Sequence, residues 1–274
     1  MTGTGQDHEP WLAQDVPAVR VGRQVVRAVI PRNTRFKLYF RMLDTPLLSE
    51  MYVRGRGRLR RRRVRTGTRL VIEAFPSSAS TFCRQAILLA NPDLAPDDLC
   101  SHTHSARVVR HAVRRRLPCI VVVRDPRDAV SSMVQRFTGV HLDSAFDYYT
   151  RYHASLLSLQ ASFVVAPFEV VTSDLSYIVA QCNDRFGTRF ASPAEAGIDD
   201  SVVRADADRR LKVMRDASES PPAGRRPHSR KPTAEFLAEV TKEQARAMHR
   251  AVEVYGALLG CQPSGWPGPA EPAA

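Results

Sequence analysis

The stretch Phe75-Pro-Ser-Ser-Ala-Ser-Thr-Phe82 gathers small and hydroxylated residues just ahead of an apolar-periodic segment. Small residues let backbone N–H groups turn towards one point, and a helix that follows aims its positive end at the same point. Ser78, Ser80 and Thr81 add hydroxyl donors. The chemistry on offer is a grip on phosphate or sulfate, although the same composition also makes an ordinary strand-to-helix turn. A second group is Val123-Arg-Asp-Pro-Arg-Asp-Ala-Val-Ser-Ser-Met133. Arg124 leaves a buried-strand pattern, and Ser132 stands two turns into the ensuing helix, at i, i+4 from Asp128. A forked, always-charged arginine with a hydroxyl nearby suits a phosphate monoester, with a plain salt bridge as the alternative. Asp125 and Asp128 read as helix caps in preference to catalysts. His102 and His104 would point the same way on a strand, so a metal pair is open to them. No cysteine or carboxylate at ligand spacing stands beside them, which weighs against it.

These residues need elements to hold them, and the pattern supplies strands and helices in alternation. Leu70–Phe75 and Cys119–Val123 are continuous apolar runs of the buried-strand type, and Phe163–Phe168 is a third strand. Helices are predicted over Thr81–Ala90, Ala106–Arg116, from Pro126 to about Phe137, from Ser144 to about Gln160, and over Asp174–Phe186 closed by Gly187. Thr241-Lys-Glu-Gln244 is a capping box opening a last helix that ends at Gly260. Alternation of this kind implies an α/β fold, with a central, mainly parallel sheet covered by helices on both faces. Ligands of such sheets bind where the C-terminal strand ends meet their loops, here after Phe75 and after Val123.

At 274 residues and 43% apolar content the chain suits one such domain with tails. The expected division is a tail and Arg-rich linker over 1–66, an α/β domain over 67–261, and an irregular tail over 262–274. Residues 35–53 mix apolar and basic side chains and suit short helices lying on the domain or on a membrane surface. Lys and Arg number 40 against 28 Asp and Glu, a net charge of +12, with eight arginines between Arg54 and Arg65. That balance favours polyanionic ligands or acidic surfaces and says nothing of fold. Five dispersed cysteines without C-x-x-C spacing argue against a disulfide framework or a zinc site. The polar N-terminus and the lack of an 18-residue apolar run lead to an expected cytoplasmic location.

Taken in order, the segments resemble the PAPS-dependent sulfotransferases, which use 3′-phosphoadenosine 5′-phosphosulfate as sulfuryl donor. VIEAFPSSASTF is similar to their 5′-phosphosulfate loop, and VVVRDPRDAVSSM to their 3′-phosphate motif of Arg and, eight residues on, Ser. Ser101-His-Thr-His104 resembles their Lys-Thr-His strand end, and Phe168-Glu169 stands where they have Tyr-Glu. Arg230-Lys-Pro-Thr-Ala-Glu-Phe236, followed by Val240-Thr-Lys-Glu-Gln244, looks like the C-terminal segment that closes over the 3′-phosphate. The likeness covers roughly residues 68–259.

The resemblance implies a P-loop-like three-layer fold and sulfuryl transfer from PAPS to a hydroxyl or amine of a small molecule or glycan, releasing PAP without a metal. It implies His104 as general base, Ser78, Ala79, Ser80 and Thr81 around the 5′-phosphosulfate, and Phe82 near the adenine. Arg124, Ser132, Arg230 and Lys231 would hold the 3′-phosphate. Three positions depart from the pattern: Ser77 replaces the loop's Lys or Arg, Ala79 its Gly, and Pro232 a C-terminal Gly. Ser77 lies at the position that meets charge on the leaving group, with Arg84 or an arginine of the 54–65 run as a substitute cation. A PAPS-binding pseudoenzyme and an anionic-membrane or nucleic-acid binder acting through Arg54–Arg65 are the rival functions. No aromatic residues interleave with those arginines, which disfavours nucleic acid. The absence of G-x-x-x-x-G-K-[ST] disfavours a phosphoryl kinase.

Overall fold

The computed structural model describes residues 29–45, 48, 63–137, 139–216, 233–238 and 240–260. The central sheet is made of β1 (Leu70–Ala74), β2 (Leu99–Ser101), β3 (Cys119–Val123) and β4 (Val164–Pro167). All three pairings are parallel and the order is β2-β1-β3-β4. Val71 of β1 is in register with Cys100 on one side and Cys119 on the other. The strands are apolar nearly throughout because both faces are covered.

Alternate strand residues feed two cores. Val71, Phe75, Cys119, Val121, Val123 and Val165 face one cluster, shared with α3 (Ala106–Arg114), α4 (Pro126–Arg136), α5 (Leu142–Ala154) and α10 (Lys242–Leu259). Leu70, Ile72, Ala74, Ile120, Val122, Val164 and Ala166 face the other, covered by α2 (Ser80–Ala90), α6 (Phe168–Ser173), α7 (Leu175–Phe186) and α8 (Asp200–Asp216). The period-2 split is what a pleated sheet buried on both sides requires.

Helix α1 (Arg32–Asp44) lies on the domain: Phe40 stacks on Tyr148 of α5 with ring centroids 3.7 Å apart, and Leu43 is buried beside it. It therefore shares the core of the sheet. The residues Arg54–Arg62 of the basic run lie outside the described residues. No helix among the described residues is long and apolar enough to cross a membrane.

Most ends fall where local chemistry sets them. Asp125 caps α4 by accepting from Arg127 N at 2.8 Å, with Pro126 in the first turn. Thr241 and Gln244 form the capping box of α10, and Gly187 closes α7 at φ +64°. The helix expected from Ser144 to about Gln160 divides instead. At the end of α5 the Ser155 hydroxyl donates to the Tyr152 carbonyl and Leu156 N donates to that of His153. These three-residue bonds tighten the last turn, and a 3₁₀ segment, Leu157–Ser162, continues from it. Helix α8 is a finding without a forecast.

His153 is fully buried on α5; its Nδ1 donates to the Tyr149 carbonyl at 3.0 Å, and Nε2 meets no hydrogen-bond partner. Burial pulls its pKa down from 6.5 to about 3. The unfolded chain thus binds a proton that the folded one refuses, so this contribution is whole above about pH 6.5 and drains as pH falls towards 3. The expected slope is about 1.4 kcal/mol per pH unit across that window. Urea titrations of His153→Phe should show that slope reduced, with stability near neutrality kept.

Candidate functional site

All four strands run the same way, so their C-terminal ends share one edge of the sheet, and each delivers a residue there. β1 leads into the loop 75–79, β2 into His102–Ser105, β3 into Arg124 and β4 into Phe168. The chain leaves β1 to one side for β2 and returns across it to β3, which makes the gap between β1 and β3 the topological switch point. A crevice outside the strand ends at that point is the usual ligand site of open parallel sheets.

The β1 loop is built on two left-handed residues, Ser77 at φ +67° and Ala79 at φ +61°. Neither is glycine, so each holds its conformation at a cost of about 1–2 kcal/mol. Ala79 packs against the second core cluster, which accommodates the methyl group where the resembled pattern has a glycine. It is the N-cap residue of α2 and has no capping side chain; the first backbone bond of the helix runs from Cys83 N to the Ala79 carbonyl at 3.0 Å. The amides of the first turn are left for an outside acceptor. Ser78, 1% exposed, has its hydroxyl buried without a hydrogen-bond partner, as does Ser77. Orphaned buried donors around an uncapped helix N-terminus are what an anion would satisfy. Ser80 is buried and Thr81 half-buried in the same turn.

Arg124 lies across this loop. Its Nη1 donates to the Ser77 carbonyl at 2.9 Å, and its guanidinium stands 4.2 Å over the Phe168 ring. Tyr149 of α5 donates its hydroxyl to the Arg124 carbonyl at 2.6 Å. Ser132 is buried on α4. Thr233, opening α9 (Thr233–Leu237), donates to Asp128 Oδ1 at 2.5 Å and so docks the C-terminal segment on α4. Arg230, Lys231 and Pro232 lie outside the described residues.

The histidines do not stand on a strand as expected, because β2 ends at Ser101. His102 and His104 are both left-handed, at φ +61° and +52°. The cause is Glu73, a fully buried carboxylate in the middle of the apolar β1. Its Oε1 accepts from Thr103 N at 3.0 Å and the Thr103 hydroxyl at 2.7 Å, and its Oε2 from His104 N at 2.9 Å. His104 Nδ1 stands 2.8 Å from the Ala74 carbonyl. That oxygen can only accept, so Nδ1 carries the proton of the neutral ring and Nε2 carries the lone pair. Tyr148 donates its hydroxyl to the His104 carbonyl. His102 Nδ1 lies 2.9 Å from the Ser101 hydroxyl and its Nε2 2.7 Å from that of Thr81, on the helix that follows the β1 loop.

Two of the expected residues have other contacts as well. Phe82 is 9% exposed, within the second core cluster, and the guanidinium of Arg204 stands over its ring at 5.4 Å, so an adenine reaching it must share or displace Arg204. Arg84 donates to Gln85 Oε1 at 2.6 Å and to the Pro96 carbonyl at 2.9 Å, towards the entry end of β2. Glu73 went unread in the sequence, although a lone carboxylate inside LVIEAF was its signal. Among the described residues no cluster of three or more His, Cys, Asp or Glu side chains is placed to hold a metal ion.

Neither a family model nor a characterised protein sequence matches the chain. Among solved structures it is similar to mouse sulfotransferase SULT7A1 complexed with PAP, at 10% identity over 73% of this chain and 87% of that chain, with a TM-score of 0.42. An overlap of that size assigns no family.

Glu73→Gln keeps the shape of the side chain but presents an amide nitrogen where a carboxylate oxygen accepted. The bonds to Thr103 and His104 are charge-assisted, worth roughly 1.5–3 kcal/mol each. Amide hydrogen exchange of Thr103 and His104 should speed up at least about tenfold in that variant, the equivalent of ~1.4 kcal/mol. Unchanged exchange would show that the loop holds its left-handed form without the carboxylate.

Proposed function

We propose that this protein transfers a sulfuryl group from PAPS to a hydroxyl or amine acceptor and releases PAP. The observation that carries the proposal is the gathering of three groups around the C-terminal end of β1. They are the uncapped first turn of α2 with its orphaned Ser78 hydroxyl, Arg124 lying on the Ser77 carbonyl, and His104 with its lone pair on Nε2. The first suits the 5′-phosphosulfate, the second a further phosphate, and the third a proton leaving an attacking acceptor. In-line displacement at sulfur asks for position and charge more than for covalent chemistry by the protein. In this reading Ser132, Arg230 and Lys231 join Arg124 at the 3′-phosphate, and the acceptor is a small molecule or glycan.

A nucleotide-binding protein with little turnover is the second reading, favoured by Ser77, which brings a neutral hydroxyl where the resembled family has a cation. The two separate by experiment. Calorimetry should show PAP binding in preference to ATP, and Arg124→Ala should weaken PAP about ten- to a hundredfold. Adenosine 5′-phosphosulfate, which lacks the 3′-phosphate, should be nearly unaffected by that change; equal losses for both would remove Arg124 from the 3′-phosphate. His104→Asn should lower turnover by roughly 10²–10⁴ with PAP affinity intact. Tight PAP binding with no turnover on a broad panel of acceptors would favour the second reading.

A further inference from the structure

The anion loop holds no lysine or arginine of its own, and Arg84, one turn into its helix, is engaged at the other end of the sheet. Arg204 stands over Phe82 and Asp206 accepts from Gln85 on the same helix, whereas the titratable side chain on Thr81, in its first turn, is His102. We infer that His102, as an imidazolium, supplies a cation that no residue of the loop itself carries, acting with Thr81 on the bridging oxygen of the donor. The inference rests on the sulfuryl-transfer reading.

The two histidines differ in what their nitrogens face. His104 Nδ1 meets a carbonyl oxygen, which fixes one proton and leaves Nε2 as the acceptor. Both nitrogens of His102 meet hydroxyl oxygens, those of Ser101 and Thr81. A hydroxyl accepts a hydrogen bond and passes its own proton onwards, so both partners can receive N–H from a doubly protonated ring. Thr81 is then turned to donate to an anion, and a charged hydrogen-bond chain runs from His102 into the first turn of α2. A bound phosphosulfate would draw a proton onto His102, because an adjacent negative charge favours the charged form.

Two charged groups near the pair agree with this assignment. Glu73, under the loop, accepts from the amides of Thr103 and His104, the two residues that follow His102. Arg124 is set across the anion loop, on the Ser77 carbonyl. The ring centroids of His102 and His104 are 6.2 Å apart, so a charge on His102 disfavours a second on His104 and keeps it in the base form. The reaction then balances. The acceptor oxygen or nitrogen forms its bond to sulfur as the bond from sulfur to the bridging oxygen breaks. The acceptor's proton passes to His104 Nε2 and on to water, and the electron pair of the broken bond stays on the 5′-phosphate of PAP. His102 keeps its proton throughout and offsets that charge. Turnover should follow a bell in pH, its acid limb set by His104 and its alkaline limb by His102.

The test is calorimetry of PAP binding to the full chain, at about pH 8, in buffers of different ionisation enthalpy. Wild type should take up a proton on binding PAP, and His104→Asn should still do so. His102→Asn suits the left-handed position and keeps a polar side chain, so it should fold. It should bind PAP about tenfold or more weakly with no proton uptake. His102→Lys, a fixed cation, should regain affinity without uptake, and the alkaline limb of turnover should move up with it. Binding of PAP by wild type without proton uptake, or uptake that survives in His102→Asn, overturns the role of His102 and leaves the sulfuryl-transfer reading standing. Wild type that fails to bind PAP at all overturns both.

Discussion

A carboxylate buried in an apolar strand is the constraint from which the rest of this site follows. Alone at that depth, Glu73 would be prohibitive to ionise, since burial costs an unpaired carboxylate several kcal/mol. Three hydrogen bonds from Thr103 and His104 answer it, and they fold the end of β2 back over β1. The left-handed backbone of His102 and His104 persists because the carboxylate holds it. One ring is thereby brought to the Ala74 carbonyl and the other to Thr81. The tautomer of His104 and the contact of His102 with Thr81 are two products of one buried charge.

The second support comes from consecutive residues of one helix. Tyr148 donates to the carbonyl of His104 and Tyr149 to that of Arg124, so α5 fixes the ends of β2 and β3 together. Successive helical residues point about 100° apart, which lets neighbouring side chains reach different strands. Burial pushes both phenols well above their usual pKa, so each remains a hydrogen-bond donor. Tyr148 is backed by the stacked ring of Phe40, which links helix α1, far from the sheet in sequence, to the position of His104.

What the sequence made legible was whatever local chemistry dictates. Cys119–Val123 was read to the residue because a strand covered on both faces is apolar at every position. Asp125-Pro126, Gly187 and Thr241–Gln244 marked helix ends through their own caps. The site loops were harder. Ser77, Ala79, His102 and His104 take a left-handed conformation that glycine or asparagine would have advertised, and long-range contacts hold them there. The histidines two apart looked like one face of a strand, and only Glu73, thirty-one positions before His104, shows why they are not. Helix α8 carries so many charged residues that its apolar contacts, Val203 among them, left little periodic signal.

The central claim is a place: an anion held at the C-terminal ends of β1 and β3 by the turn that opens α2. A crystal structure of the full chain with PAP tests it most directly. The account predicts the 5′-phosphate within hydrogen-bond reach, about 3 Å, of the amides of residues 78–81, with the Ser78 hydroxyl satisfied by it. It also predicts the 3′-phosphate on Arg124 and the His102 ring still joined to Thr81. A nucleotide seated elsewhere on the sheet edge, with no anion at the turn before α2, would contradict it.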